Sequence, residues 1–162
     1  MKKYKKYIML AVCFLVIFGL DMLTKIIFEG KYFSVIKGFI GVYSCHNTGA
    51  AFSIFAGKQL FLIIFTGIIF VGLLVFYIKF KQDNMLYIMS MSMIISGAVG
   101  NMFDRIFLGY VRDFINLEFM NFAIFNIADC ALTIGIGLLV IYVLFYDTET
   151  KITKDKKENE AN

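Results

Sequence analysis

The feature that most narrows what this chain can fold into is the length of its apolar runs. A helix that crosses the hydrocarbon core of a bilayer needs roughly 20 mostly apolar residues. Four stretches qualify, at about 7–28, 60–78, 85–103 and 125–146. The second carries no charge at all, Asp21 and Lys25 interrupt the first, and Asp129 is the single charge in the fourth. With 60% of residues apolar, against about 45–50% in ordinary soluble domains, a water-soluble domain is excluded. The expected fold is an all-α membrane protein of four transmembrane helices, with a small extracytoplasmic β-sheet and a short interfacial helix.

The first stretch has the beginnings of a cleavable leader, with Lys2, Lys3, Lys5 and Lys6 ahead of Leu10, Ala11, Val12 and Cys13. Only residues 8–12 would separate that basic head from Cys13, less than the roughly 7–15 residues of a signal core, and Val12 is not the small residue expected before a cut. It reads as a retained helix. Orientation follows from basic residues near the span ends. Lysines cluster at the amino terminus, at Lys79 and Lys81 between spans two and three, and at Lys151, Lys154, Lys156 and Lys157 in the tail. Both termini are therefore expected on the cytoplasmic side. Residues 1–147 read as one membrane domain and 148–162 as a solvated, disordered cytoplasmic tail.

The outer segment 29–58 is strand-like from Tyr32 to Tyr43, where Phe, Val and Ile are punctuated by Gly38 and Gly41. A turn at Asn47, Thr48 and Gly49 leads to a short amphipathic helix expected over 50–56, lying at the interface. The net charge of +4 would suggest nucleic acid only if the basic residues shared a solvated face. They flank apolar stretches instead, so nucleic acid is not an expected partner. Cys13, Cys45 and Cys130 lack metal-ligand spacing, and His46 is the single histidine, which leaves no basis for a metal site or a disulfide framework. No cofactor is expected. Cys13 and Cys130 read as small apolar filler inside helices.

Ionisable groups within spans are costly in lipid and mark functional candidates that face the bundle. Here they gather at one surface. Asp21 lies roughly 10 Å below the outer end of span one and Asp129 roughly 6 Å below the outer end of span four, at about 1.5 Å per residue. Asn101, Asp104 and Arg105 close the outer end of span three, and Asp113 stands in the loop beyond it. Residues three or four apart share a helix face, which groups Asp21 with Lys25, Asn101 with Asp104 and Arg105, and Asn126 with Asp129. Asp21–Lys25 and Asp104–Arg105 are expected to be ion pairs that hold the bundle together. Asp129 has no cation within four residues, and Asp113 has only Arg112, whose side chain points away if the segment is extended. Two such carboxylates near one interface suit an acid and base pair sharing one proton, in which one member polarises a carbonyl while the other activates water. A proton-coupled transporter, a non-catalytic assembly factor, and a cysteine peptidase using Cys130 with His46 remain open on spacing alone.

At these residues the chain resembles the bacterial lipoprotein signal peptidases, or type II signal peptidases. Ordered blocks carry the likeness: Asp21-Met22-Leu23-Thr24-Lys25; Asn47-Thr48-Gly49-Ala50-Ala51; Gly97 through Arg105; Val111-Arg112-Asp113-Phe114-Ile115; and Phe125-Asn126-Ile127-Ala128-Asp129. The resemblance implies a four-helix aspartic peptidase of the bacterial cell membrane, with its site near the outer surface. Its implied reaction is removal of the signal peptide from a prolipoprotein, by hydrolysis of the bond before a diacylglyceryl-modified cysteine. Position by position it implies Asp113 and Asp129 as the catalytic pair, Asn47, Asn101, Arg105 and Asn126 as substrate-binding residues, and Asp21, Lys25, Asp104 and Gly49 as support. Prolipoproteins and membrane lipids are the implied partners of a monomer. Met22, Arg112 and Cys130 depart from the family pattern, which often has Gln, a small apolar residue and Ser there. An arginine beside Asp113 would favour its ionised form if it faced it, and would leave the proton on Asp129.

The charge count generates a topological prediction. With Cys13 and Cys130 replaced, Cys45 in the outer segment should react with a membrane-impermeant thiol reagent in intact cells. Labelling only after permeabilisation would reverse the assigned orientation.

Overall fold

A computed structural model of the chain describes residues 3–50, 52, 54–79 and 82–147; the expected tail at 148–162 lies outside them. Four helices are long and apolar enough to cross a membrane. They are α1 (Lys3–Phe28), α2 (Gln59–Lys79), α3 (Met85–Phe107) and α4 (Ile127–Ile141), the last continuing as a wider π-helical turn over Tyr142–Asp147. Three boundaries differ from the sequence reading, the first being α1, which begins at Lys3, a turn ahead of Tyr7. Helix α3 runs a turn past Phe103, and α4 begins at Ile127 instead of near Phe125, because Asn126 caps it. The Asn126 side chain accepts from the Asp129 amide while the Asp129 carboxylate accepts from the Asn126 amide, a reciprocal arrangement that satisfies two otherwise orphan donors.

Helix α3 is the central element, packed against the other three helices. Its serines need no water. Ser90 and Ser92 donate to carbonyls of their own helix, at Tyr87 and Ile88, and Ser96 donates across to the Phe14 carbonyl of α1 at 3.2 Å. Interhelical hydrogen bonds of this kind hold bundles together where lipid gives no hydrophobic drive between helices. At the end of the bundle where α1 begins, Tyr87, Ile88, Met91, Ile95 and Tyr142 form a buried core. There Lys6 of α1 reaches Asp83 in the α2–α3 turn at 2.6 Å, and Asn84 caps α3 by accepting from the Leu86 amide.

The opposite end of the bundle carries a three-stranded antiparallel sheet in the order β1-β2-β3, formed by Tyr32–Ile36, Ile40–Asn47 and Val111–Leu117. The first two strands cover the strand-like run from Tyr32 to Tyr43, but β2 continues to Asn47, which the sequence reading put in a turn. The third comes from the second outer segment and brings Asp113 opposite Cys45, beside a register shift between Val42 and Cys45. Such bulges re-aim side chains next to sites. Glu118, just past β3, accepts from Ser34, the Gly38 amide and Tyr43, so one carboxylate staples the β1–β2 hairpin to β3. These donors hold its pKa below the usual carboxylate range.

The interfacial helix expected over 50–56 is replaced, in the described residues, by turns at 54–57 and a single 3-10 position at Phe52. Phe52 and Phe55 have φ of 53° and 61°, in the left-handed region that a right-handed helix does not tolerate. Residues 51 and 53 lie outside the description.

Helices α3 and α4 approach closely because Gly97 has no side chain. A Cβ there would fall against the Ala128 carbonyl and Leu132 of α4, whereas at Gly72 on α2 it would meet nothing within 4 Å. Gly97→Ala should therefore destabilise the protein by about 1–3 kcal/mol, the cost of overpacking. Gly72→Ala should be neutral or slightly stabilising. Thermal unfolding of the two variants in detergent checks the difference.

Candidate active site

The C-terminal ends of α1 and α3 and the N-terminal end of α4 meet β3 around two connected polar clusters. The deeper one is ionic. Lys25 is fully buried and lies 2.8 Å from Asp21 and 3.4 Å from Asp104. Arg112 then closes the cluster on Asp104, with Nη2 at 2.7 Å and Nε at 3.2 Å, while its backbone amide donates to the same carboxylate at 3.0 Å. Two acids and two bases thus cancel. Asp21 also accepts from the Ala128 amide of α4 at 2.8 Å, so the cluster ties three helices and a strand together.

The Asp21–Lys25 pair is as expected, but Asp104 pairs with Lys25 and Arg112 instead of Arg105. Arg105 turns the other way and donates to the Gly49 carbonyl at 2.9 Å. Adjacent residues on a helix do not face each other, so Asp104 and Arg105 point to different sides of α3 and each finds its partners on other elements. Arg112 does point away from Asp113, as an extended strand requires, and Asp104 raises its pKa.

The second cluster holds the two remaining carboxylates. Asp113 on β3 is 3% exposed. It accepts from Asn126 Nδ2 at 2.6 Å on one oxygen and from Asn47 Nδ2 at 2.9 Å on the other. Asp129, in the first turn of α4, accepts from Asn101 Nδ2 at 2.7 Å and from the Asn126 amide at 3.1 Å. Asn126 is therefore the bridge: its side chain holds one acid and its main chain the other. Its amide also donates to Asn101 Oδ1 at 3.0 Å, the atom that accepts from Lys25 at 3.0 Å, so the ionic cluster fixes which way the Asn101 amide faces. Asn47 in turn accepts from the Gly49 amide at 2.8 Å. Burial, reinforced by the negative charge of Asp129, pushes the Asp113 carboxyl up to about 7.

Both acids line a cavity of about 530 Å³ together with Asn47, Asn101 and Arg105. All four residues expected to bind substrate thus belong to one site, three of them on the cavity wall and Asn126 behind it. Arg105 Nε is buried without a partner among the described residues. The aromatic pair Phe52 and Phe122, with centroids 5.5 Å apart, forms part of the wall. No polar pattern marked these two. Cys130 also lines the cavity instead of serving as filler between helices, a consequence of following Asp129 on the same helical turn. His46 stacks on Tyr110 at 4.0 Å and lies 3.4 Å from Glu29, so it is directed away from Cys130 and the cysteine-peptidase arrangement is not assembled.

Comparison with known proteins agrees with this architecture. Residues 13–145 match the family described as Signal peptidase (SPase) II. Lipoprotein signal peptidases of Staphylococcus aureus strains JH9 and Newman are each 43% identical to this chain, covering 98% of it and 99% of the relative. A bacterial membrane enzyme solved by the in meso method at 2.3 Å resolution superposes with a TM-score of 0.81 at 38% identity, covering 88% of this chain and 91% of the other. A second, at 1.9 Å resolution, gives 0.77 at 37% identity, covering 85% and 94%. The chain belongs to the signal peptidase II family.

Replacing Lys25 by Met should leave Asp21 and Asp104 buried beside a single remaining cation, Arg112. Removal of one member of a buried ion cluster costs about 3–5 kcal/mol. Lower expression and a lower unfolding temperature in detergent, measured against Lys31→Met on the exposed outer segment, check this expectation.

Proposed function

We propose that the chain is an intramembrane aspartic endopeptidase that removes signal peptides from prolipoproteins by cutting the bond before the diacylglyceryl-modified cysteine. The observation that carries this reading is the coupling of Asp113 and Asp129 through Asn126 on one cavity wall. Family membership supplies the substrate class. The single membrane domain 1–147 would sit in the cell membrane as a monomer, with both termini cytoplasmic and the dyad near the outer surface.

The two acids differ in surroundings, and that sets their roles. Asp129 lies in the first turn of α4 and accepts from the Asn126 amide. Asp113 is buried, faces that charge, and has its own pKa raised to about 7. The shared proton accordingly rests on Asp113, the reverse of what an arginine facing it would produce. Asp129 takes a proton from water, the resulting hydroxide attacks the scissile carbonyl, and Asp113 gives its proton to the carbonyl oxygen. Collapse of the tetrahedral intermediate returns that proton to Asp113, while the departing cysteine nitrogen takes the proton held by Asp129. Arg105, on the cavity wall beside both acids, is placed to hold a substrate carbonyl. A proton-coupled transporter needs polar groups near the midplane; here the acids gather at one end, and α2 contains none.

Asp113→Asn and Asp129→Asn should each abolish cleavage of a lipidated prolipoprotein while the protein stays folded. The double variant should be scarcely worse than either single one, as for residues acting as a unit. Independent partial losses that multiply would point to structural roles.

Cleavage should also fall as pH rises through about 7, because the pair then loses the one proton it needs, a sign fixed by the raised pKa of Asp113. An alkaline limb unchanged in position by the Asp113 environment, for example in Asn47→Ala, would contradict the assignment.

The acyl chains should be required. They hold the scissile bond at the depth of the dyad, and at about 0.8 kcal/mol per buried CH₂ a few methylenes outweigh ordinary peptide contacts. Equal cleavage of the same prolipoprotein without its diacylglyceryl group would overturn this part of the reading.

A further inference from the structure

Strand β3 has a neighbour on the side away from β2. Phe125 forms an isolated antiparallel bridge to Ile115, donating to its carbonyl at 3.1 Å and accepting from its amide at 2.8 Å, and the Phe114 amide converges on the same Phe125 oxygen at 3.1 Å. In an antiparallel ladder, a residue that exchanges both bonds with one neighbour leaves the adjacent residue's N–H and C=O facing the opposite side. Ile124 is that adjacent residue. Among the described residues its amide and carbonyl have no hydrogen-bond partner, and through 121–124 the main chain makes one backbone bond there, from the Phe122 amide to the Met120 carbonyl. Buried or half-buried backbone groups are nearly always paired, yet Ile124 is half-buried and lines the cavity that holds Asp113 and Asp129.

We propose that the main chain of Ile124 binds the substrate backbone as an added antiparallel β-strand, exchanging two hydrogen bonds with one substrate residue next to the scissile bond. This rests on the peptidase reading above and adds where the substrate's main chain lies. Strand addition to an open sheet edge gives affinity through main-chain bonds that are indifferent to side chains, which suits a site that must accept many sequences around one modified cysteine. It also fixes register. Ile124 is two residues from Asn126, the residue that holds both acids, so a strand paired at Ile124 lies beside the dyad in a defined alignment. Ile124 is a positioning residue in this scheme, and it acts through its backbone.

The test uses a synthetic diacylglyceryl prolipoprotein segment in which each backbone amide near the scissile bond, the scissile one excepted, is replaced in turn by an ester. The full chain in detergent is assayed for kcat and KM. With the unaltered enzyme, one ester position should lower kcat/KM about tenfold, the effect of one main-chain hydrogen bond, and its immediate neighbours should matter little because they face the other way. Ile124→Pro, which removes the amide donor but keeps the carbonyl that accepts from the substrate, should lower kcat/KM on the all-amide substrate by a similar factor through the other of the two bonds, and the same ester position should stay sensitive. A flat ester scan, or a folded Ile124→Pro with unchanged kcat/KM, would overturn the inference. If Ile124→Pro loses its cooperative thermal unfolding, the ester scan on the unaltered enzyme decides alone. Failure of the unaltered enzyme to cleave the all-amide substrate would sink the peptidase reading and this inference with it, whereas cleavage with a flat scan sinks only the inference.

Discussion

A carboxylate carried below the membrane surface must be neutralised by the protein, because lipid supplies neither water nor counterion. That constraint organises the outer half of this molecule. Asp21, Lys25, Asp104 and Arg112 form a closed set of two acids and two bases, drawn from α1, α3 and β3 and extended to α4 by the Ala128 amide. None of these elements can shift without leaving a charge unpaired at low dielectric. The small residues along the α3–α4 contact allow the approach, and the ionic cluster fixes it in register. A bond from Lys25 to Asn101 then passes that registration to the site.

The consequence is a division of labour among acids that are chemically alike. Four aspartates lie within one region, and two of them are fully neutralised by cations. Asp113 and Asp129 are left with hydrogen bonds from uncharged donors, Asn47, Asn101 and Asn126. Amide donors hold a carboxylate in place without the strong preference for its ionised form that a cation imposes. Burial and the charge of Asp129 can therefore hold the Asp113 pKa near 7 although both amides pull it down. Asp104 draws the guanidinium of Arg112 away from its sequence neighbour, and the dyad keeps the freedom to carry a proton.

What the sequence disclosed, it disclosed through local pattern. The four spans follow from apolar length, and the Asp21–Lys25 pair and the Asn126–Asp129 face follow from helical spacing. Both outer strands of 29–58 follow from composition. What it hid depends on contacts between distant segments. Nothing in the spacing of Asp104 says that it will prefer Arg112 across a turn to Arg105 on its own helix. The third strand and the Phe125 bridge join residues that carry no shared motif. The segment over 50–56 misled because its apolar pattern suits a helix while Phe52 and Phe55 adopt left-handed backbone. The ordered blocks recovered Asp113 and Asp129 as candidates, but the reason for their difference lay in the third dimension.

A peptide bond inside a membrane helix presents a problem that a bond in a loop does not. Its helical hydrogen bonds must open before a carboxylate dyad can reach the carbonyl, and in a water-poor region each freed backbone group costs several kcal/mol. The unpaired main chain at Ile124 bears on that cost directly, since a donor and acceptor already waiting at the cavity wall would replace two of the bonds that unwinding breaks. The same free edge would be a liability in an open sheet, where it invites pairing with other chains. Here it is half-buried on the wall of the cavity, which limits access to a segment that enters the site. On the proposed reading, an unsatisfied backbone edge beside two acids that can carry a proton near neutrality is a consistent pairing: the first would favour the extended form of the substrate, and the second would act on the carbonyl that extension exposes.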